Sequence, residues 1–428
     1  MEMYGQILLI AMPAFLLLVL FEKWYGWRKG QDTVRNMDMI SSLSSGITNV
    51  TKDVLGLAFV LISYPFLVDH LSVTTIRAGW LVYLIAFLAL DLAGYWVHRI
   101  QHTTNLFWNG HVIHHSSEEF NLACALRQSI SGIVRIFVVF LLPAALLGVP
   151  AGVIAIVAPL PLFAQFWSHT RHIDKMGILE KIIVTPSHHR VHHAINAEYI
   201  DKNYGQIFIL WDKWFGTFQE ELPHVPPVYG STRPAQTWNP IKINFQHFWL
   251  MVKDAWRTSN WKDKLLLWFK PTGYRPADVA ERYPVYKIAD VYHFEKYNPR
   301  TSAGLQVWSW IQLVSVLLLV SYLFGNIAFI NRQDGSFIYI YGAFVFLSVY
   351  AFAELMDRSK WALLWEGLRA ASGIWIIMNQ GDWFGISRYG TAAPYLIGSY
   401  FILAFFISGW FVYLHYKEDR LLRVTAAQ

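Results

Sequence analysis

Four short clusters of histidine, separated by apolar stretches long enough to cross a bilayer, constrain this 428-residue chain more than any other feature. They are His98-x3-His102, His111-x2-His114-His115, His169 with His172, and His188-His189-x2-His192-His193. Neutral imidazole offers a nitrogen lone pair near neutral pH, which makes histidine the commonest side-chain ligand for transition metals. A single buried histidine is an ordinary core residue. Two HxxHH units beside an HxxxH are not, and they point to a polynuclear metal site at a membrane surface.

The apolar stretches set the frame for that site. Spanning a bilayer as a helix takes ~20 mostly apolar residues. Nine stretches meet or approach this: about 4–22, 46–66, 78–97, 131–148, 151–167, 306–325, 337–355, 360–379 and 393–414. The first, from Ile7 to Phe21, has no basic segment before it and is followed by Glu22-Lys23-Trp24, so it reads as a membrane helix and not as a cleaved leader. Charged residues make up 15% of the chain, against about 25% in a typical soluble domain. Its 20 Trp, 22 Tyr and 29 Phe suit aromatic belts at the membrane–water interface. The expected fold is all-α: a polytopic membrane protein of about nine transmembrane helices with a cytoplasmic-side, histidine-rich di-metal domain.

Lysine and arginine give the orientation. The loop after the first span carries Lys23, Arg28, Lys29 and Arg35, and residues 168–305 hold about half of the basic side chains. The opposite loops offer Arg77 and Arg332, and the tail adds Lys417, Arg420 and Arg423. With nine spans the basic regions share one face, placing the amino terminus outside and the histidines at the cytoplasmic edge. The chain then divides into amino-terminal membrane helices (1–77), a di-metal core (78–222), an interfacial segment (223–305) and a four-helix membrane block (306–428). Phe245–Val252 and Trp261–Phe269 read as amphipathic helices lying on the interface. The net charge of +6 comes without a lysine–arginine block of the kind that binds nucleic acid. Cys124 is the one cysteine, which excludes an internal disulfide framework; it reads as a small packed residue.

Helical spacing assigns the histidines to metals. Residues three or four apart share a helix face, so His98 and His102 point at one metal. His111 aligns with His114 or with His115, and adjacent histidines differ by roughly 100° around the axis. Each HxxHH unit is thereby placed to serve two neighbouring metals. The candidate ligands are His98, His102, His111, His114, His115, His169, His189, His192 and His193. His172 and His188 read as supporting groups, and His70, His224, His247, His293 and His415 as structural. No HExxH, phosphate loop or dinucleotide fingerprint is present, so reducing equivalents for any oxygen chemistry come from outside the chain.

These motifs, over roughly residues 85–220, resemble the fatty acid hydroxylase and sterol desaturase superfamily. Within it, the likeness runs to the branch that oxidises alkylglycerol ethers. It rests on His111-Val-Ile-His-His-Ser-Ser-Glu-Glu-Phe-Asn-Leu, Ala125-Leu-Arg-Gln-Ser129, Thr185-Pro-Ser-His-His-Arg-Val-His-His193, Tyr199-Ile-Asp-Lys-Asn-Tyr-Gly205 and Trp211-Asp-Lys-Trp-Phe-Gly-Thr-Phe218. The resemblance implies two iron ions (zinc being an alternative occupant in purified protein), O2 as co-substrate and a lipid substrate. It further implies hydroxylation of the carbon next to the ether oxygen, with a reduced pterin (tetrahydrobiopterin) as electron donor. It also favours Glu118 as a pterin contact or a catalytic supporting group.

Asp91 lies two turns before His98 on the same face, and an intramembrane carboxylate is costly enough to suggest a function. It is expected to receive a ligand's second N–H and fix its orientation. Arg127, with Gln128, stands near the membrane edge as a candidate contact to a cofactor or lipid head group. Asp201 and Asn203 are expected to fix the turn after the last cluster, and Glu366 with Arg369 to form an intramembrane pair. Three rival readings stand beside the lipid monooxygenase. One is a fatty acid or sterol hydroxylase or desaturase fed by an electron-transfer protein. The others are a zinc hydrolase and a metal transporter.

Overall fold

The computed structural model describes residues 2–426 apart from 58, 61, 75, 77, 78 and 133. Arg77, one of the two basic residues expected on the opposite face, lies outside the described residues. In chain order the main helices are α1 (Glu2–Arg28), α2 (Asn36–Val54), α3 (Trp80–Thr103), α4 (Pro186–His192) and α5 (Pro240–Arg257). The second membrane block adds α6 (Ala303–Gly325), α7 (Phe337–Met356), α8 (Ala362–Gln380) and α9 (Ala393–Ala426). Among the described residues the regular structure is helical apart from a two-residue parallel pairing of Phe59–Val60 with Val134–Arg135 and two isolated bridges, Ile183 with Phe208 and Ala194 with Tyr229.

Among the described residues six helices, not nine, are long and apolar enough to cross a membrane: α1, α3, Ala151–Ser168, α6, α7 and the Ala393–Leu421 part of α9. Each of the other three expected spans departs for a physical reason. The stretch expected at 46–66 starts ten residues earlier, as α2, and ends at Val54 before a separate short helix, Tyr64–Leu71. Helix α2 is polar yet interior, with Ser41, Ser42, Ser44, Ser45, Thr48 and Thr51 all buried. The hydroxyls of Ser42, Ser44 and Thr51 donate to carbonyls four residues back, while Ser41 and Ser45 reach Trp238 O and Gln128 O. The stretch at 131–148 breaks into two short turns, Phe137–Leu141 and Leu142–Leu146, around Pro143. Helix α8 has the length, but its buried Glu366–Arg369 pair (2.8 Å) lowers its apolarity.

Beside two small clusters, two large cores hold the described residues. One packs α1 and α2 against α6 to α9 and includes Val19, Ile40, Val320 and Phe352; the other packs α3 against residues 137–157. Polar ends gather on one side: Glu22 near the end of α1 accepts from Leu122 N and Thr170 Oγ1, and Glu354 near the end of α7 accepts from Asn239. On the other side Val73 N donates to Leu146 O at 2.9 Å. Helix α5 begins at Asn239, whose side chain caps the amides of Ile241 and Lys242. It buries Ile243, His247, Leu250 and Met251 on one face and exposes Trp249 and Trp256 on the other. This is the amphipathic pattern expected of an interfacial helix.

Candidate metal centre

Four elements deliver the histidines. The last two turns of α3 carry His98 and His102, and His169 follows directly after Ala151–Ser168. The chain at 111–116 is a tight turn ending in a single 3-10 turn, His114–Ser116, rather than the α-helix its spacing suggests. Helix α4 carries His189 and His192, with His193 as its C-cap. Its start is fixed by Thr185 and Pro186, and His188 closes a reciprocal cap with Thr185 (Thr185 N to His188 Nδ1, 3.3 Å).

These elements bring nine imidazoles into two groups. His98, His102, His111, His115 and His192 form one; His114, His169, His189 and His193 form the other, and within each the ligand nitrogens lie within 4.8 Å of one another. Each HxxHH unit is split between the groups: the i, i+4 pair of the first unit and the i+3 histidine of the second go to one, and the remaining histidines to the other.

Hydrogen bonding prepares the inner nitrogens. The Nδ1–H groups of His98, His114, His169 and His192 donate to the carbonyls of Tyr204, Arg127, Gln165 and Lys202 at 2.9–3.2 Å. In a neutral imidazole that fixes the proton on Nδ1 and leaves an unprotonated lone pair on Nε2. Yet His169 Nε2 lies 3.3 Å from His114 Nε2, so two lone pairs face each other with no proton between them. His115 Nε2 lies 3.1 Å from the Nε2 atoms of His102, His111 and His192. Converging lone pairs repel unless a cation sits among them, so this donor set fits a metal ion in each group. All-nitrogen borderline ligands suit iron or zinc rather than magnesium or calcium.

The electrostatics agree. Burial pushes His111, His114, His115, His189, His192 and His193 well below the usual histidine range, and His169 down to about 4. They are neutral at physiological pH, the form that binds metal.

The other expected site residues are placed differently. Asp91 does not orient an imidazole. Its two oxygens accept from Ile207 N (2.8 Å), Phe208 N (3.1 Å) and Trp211 Nε1 (2.7 Å), holding the segment next to Tyr204. Nearby, Gly94 lets the Gln206 side chain lie against α3, since a Cβ there would come within 2.2 Å of it. Arg127 is 1% exposed and reaches neither lipid nor solvent. Its guanidinium donates to Ser42 Oγ, Ser116 Oγ and Asp38 Oδ1 (2.6 Å), while its carbonyl receives His114. Glu118 accepts from Tyr297 N at 2.6 Å, and burial raises its carboxyl above the usual range.

Outside the two groups, His172 Nε2 lies 3.1 Å from Thr33 Oγ1, and His188 belongs to the α4 cap. Asp201 and Asn203 adopt positive φ in the turn after the last cluster, and the Asn203 amide donates to His188 O and Gln219 O.

Sequence reasoning missed Asp38, Glu119 and the contact made by Asp201. Asp38 balances Arg127 and also accepts from Ser117. Glu119 is surrounded by Arg35, Lys296 and Arg171. Asp201 Oδ1 lies 3.8 Å from His102 Nδ1, making it the carboxylate that faces a ligand imidazole. Tyr199-Ile-Asp201-Lys-Asn203 falls directly after the last histidine cluster, which was the available signal.

Nine buried or half-buried imidazoles, gathered from the ends of two apolar helices, the 111–116 turn and α4, are the site of a histidine-rich membrane oxidoreductase of the fatty acid hydroxylase class, and the fatty acid hydroxylase domain matches residues 83–217. The chain is 34% identical over 366 residues to alkylglycerol monooxygenase of Homo sapiens, covering 84% of this chain and 80% of that protein. It is 32% identical over 406 residues to alkylglycerol monooxygenase of Danio rerio, covering 93% and 86%. An ornithine lipid hydroxylase of Rhizobium tropici is 29% identical over 138 residues, 32% of this chain and 40% of that protein. No solved structure matches. The chain belongs to the alkylglycerol monooxygenase family and is a membrane lipid monooxygenase.

Proposed function

We propose that the protein cleaves the ether bond of alkylglycerols by hydroxylating the carbon next to the ether oxygen. The names of its relatives favour that substrate, and the facing pair of all-histidine groups supports the chemistry. The reaction takes up one O2, two electrons and two protons. One oxygen atom forms the new C–OH and the other leaves as water; the hemiacetal then splits into an aldehyde and glycerol. When bound, two irons would supply the activation of O2. His98, His102, His111, His115 and His192 would hold one iron, and His114, His169, His189 and His193 the other.

The protein's own groups position and insulate. Backbone carbonyls of Tyr204, Arg127, Gln165 and Lys202 fix four ring orientations, the role such partners play around metals generally. Asp201 supports His102 from outside. The apolar helices exclude water and take the lipid chain, while the head group stays at the polar face. The compactness of the two groups disfavours a transport path, whose ligands would be spread along the spans.

We place this face in the cytoplasm. If the six apolar helices are joined by three irregular passages, the basic regions return to one side, and the lysine and arginine of residues 168–305 support that placement. The electrons come from a reduced pterin such as tetrahydrobiopterin, or otherwise from an electron-transfer protein. Glu118 remains a candidate pterin contact at the polar face, whereas Asp91 and Arg127 act through the backbone segments they hold.

The test is a lipid panel with purified protein, comprising alkylglycerol, fatty acid and sterol, each with and without reduced pterin. Aldehyde release from alkylglycerol that requires both O2 and pterin is expected. Turnover of sterol or fatty acid alone, driven by an electron-transfer protein, would overturn the substrate assignment.

A further inference from the structure

Behind the five-histidine group lies a cavity of about 210 Å³ whose wall includes Trp108, Arg233, His247, Thr272, Arg275 and Lys287. Trp108 separates it from the imidazoles: its ring centroid is 5.1 Å from His102 and 5.6 Å from His115. The rest of the lining is mixed: Val112, Ile243 and Met251 are apolar, while Ser231, Gln246 and Asp254 are polar.

The charges are unequally committed. Arg275 is fully engaged, donating twice to Asp254 (2.6 and 2.8 Å) and once to Tyr283 O. His247 donates to Asn105 O, and burial and Arg233 push it down to about 4, so it is neutral. Among the described residues, neither Arg233 nor Lys287 has a carboxylate within ion-pair distance, and the Arg233 guanidinium has no acceptor. Asp254 acts on Arg233 only at longer range, its oxygens being taken by Arg275. Thr272 Oγ1 is buried without a hydrogen-bond partner. The Arg233 guanidinium is half-buried and faces the cavity, so its N–H donors are left for whatever occupies it. Two unmatched positive charges, a fork of N–H donors and a free hydroxyl suit the tetrahedral oxygens of a phosphate dianion.

We propose that this cavity binds a phosphate monoester, whose oxygens lie between Arg233, Lys287 and Thr272 and whose apolar portion lies toward Trp108 and Val112. A soluble phosphate ester and the head group of an anionic lipid share this chemistry. The assignment is independent of the reaction proposed above, because it rests on groups outside the two histidine clusters.

Calorimetric titration of the full-length, metal-loaded protein tests it, with inorganic phosphate and glycerol 3-phosphate as soluble probes. Nanodiscs of phosphatidic acid, compared with phosphatidylcholine, test the lipid source. Saturable binding of any phosphate probe is expected, weakened at least tenfold in Arg233→Gln and clearly weakened in Lys287→Gln. The metal content of both variants is expected to stay unchanged. Lys287 is exposed, so that variant keeps the test valid if Arg233→Gln folds poorly. Binding of soluble probes assigns the site to a free ester, and binding of phosphatidic acid nanodiscs alone assigns it to a lipid. Absence of saturable binding to every probe, or affinities unchanged in both variants, would overturn the proposal.

Discussion

The Nδ1–H of His98 donates to the carbonyl of Tyr204, 2.9 Å away, and this bond turns the His98 Nε2 lone pair toward His111, at 3.0 Å. Tyr204 lies 106 residues further along the chain, so the orientation of one ligand depends on the turn that follows the last histidine cluster. That turn is held by Asp91 through Ile207, Phe208 and Trp211, and by Asp212, which accepts from Tyr204 N and Gly205 N at 2.8 Å.

This linkage makes Asp91→Asn informative. Asparagine keeps one carbonyl oxygen and turns an NH2 toward an existing donor, so at least one buried N–H loses its acceptor at a cost of roughly 1–3 kcal/mol. Thermal unfolding in detergent is expected to shift downward, with looser metal retention as the Tyr204 carbonyl moves. Full stability and full metal content in the Asp91→Asn variant would show that the contact carries no weight.

The two histidine groups predict paired outcomes. His114→Ala, from the four-histidine group, and His192→Ala, from the five-histidine group, are each expected to cut turnover at least a hundredfold while leaving a folded membrane protein with less metal. His247→Ala, whose imidazole meets Asn105 O outside both groups, is expected to keep most activity. Steady-state rates beside circular dichroism separate these cases, and equal loss in all three contradicts the grouping.

Arg127 and Asp38 form a buried pair behind His114. Removing one partner leaves an uncompensated charge, which typically costs about 3–5 kcal/mol. Arg127→Met is therefore expected to destabilise strongly, and the double change with Asp38→Asn to recover part of the loss. Melting curves of the single and double variants decide it: a double variant no more stable than Arg127→Met refutes the pair.

His247 also sets a pH response. Burial holds it near 4 in the folded protein, against about 6.5 in an unfolded chain. As pH falls below 6.5 the unfolded chain takes up a proton that the folded site refuses. Its contribution is thus intact above 6.5 and lost progressively toward pH 4, up to roughly 3 kcal/mol. His247→Gln should flatten the fall of the melting temperature between pH 6.5 and 5. An unchanged slope would remove His247 from the explanation.

What the sequence disclosed follows from which contacts are local. The histidine spacing was legible because i, i+4 ligands share a face, and the split within the second HxxHH unit follows from the helical angle of α4, whereas 111–116 makes its split as a tight turn. Asp38 was not legible: its partner Arg127 is 89 residues away. Arg127 itself looked like a head-group contact because it lies beside the site in sequence, but the serine-rich α2 covers it. Hydropathy also misplaced α2, since hydroxyls that bond to their own helix let a polar segment stay buried. The Glu366–Arg369 pair was readable from its i, i+3 spacing, though not its partner Gln312 on α6.

On the proposed function, each of the two histidine groups would hold an iron that activates O2 on a lipid. Metal quantification of anaerobically purified protein, with O2 uptake measured on added alkylglycerol, tests it most directly. About two irons per chain and lipid-dependent uptake are predicted. Zinc without iron, and no O2 consumption with any lipid, would contradict it.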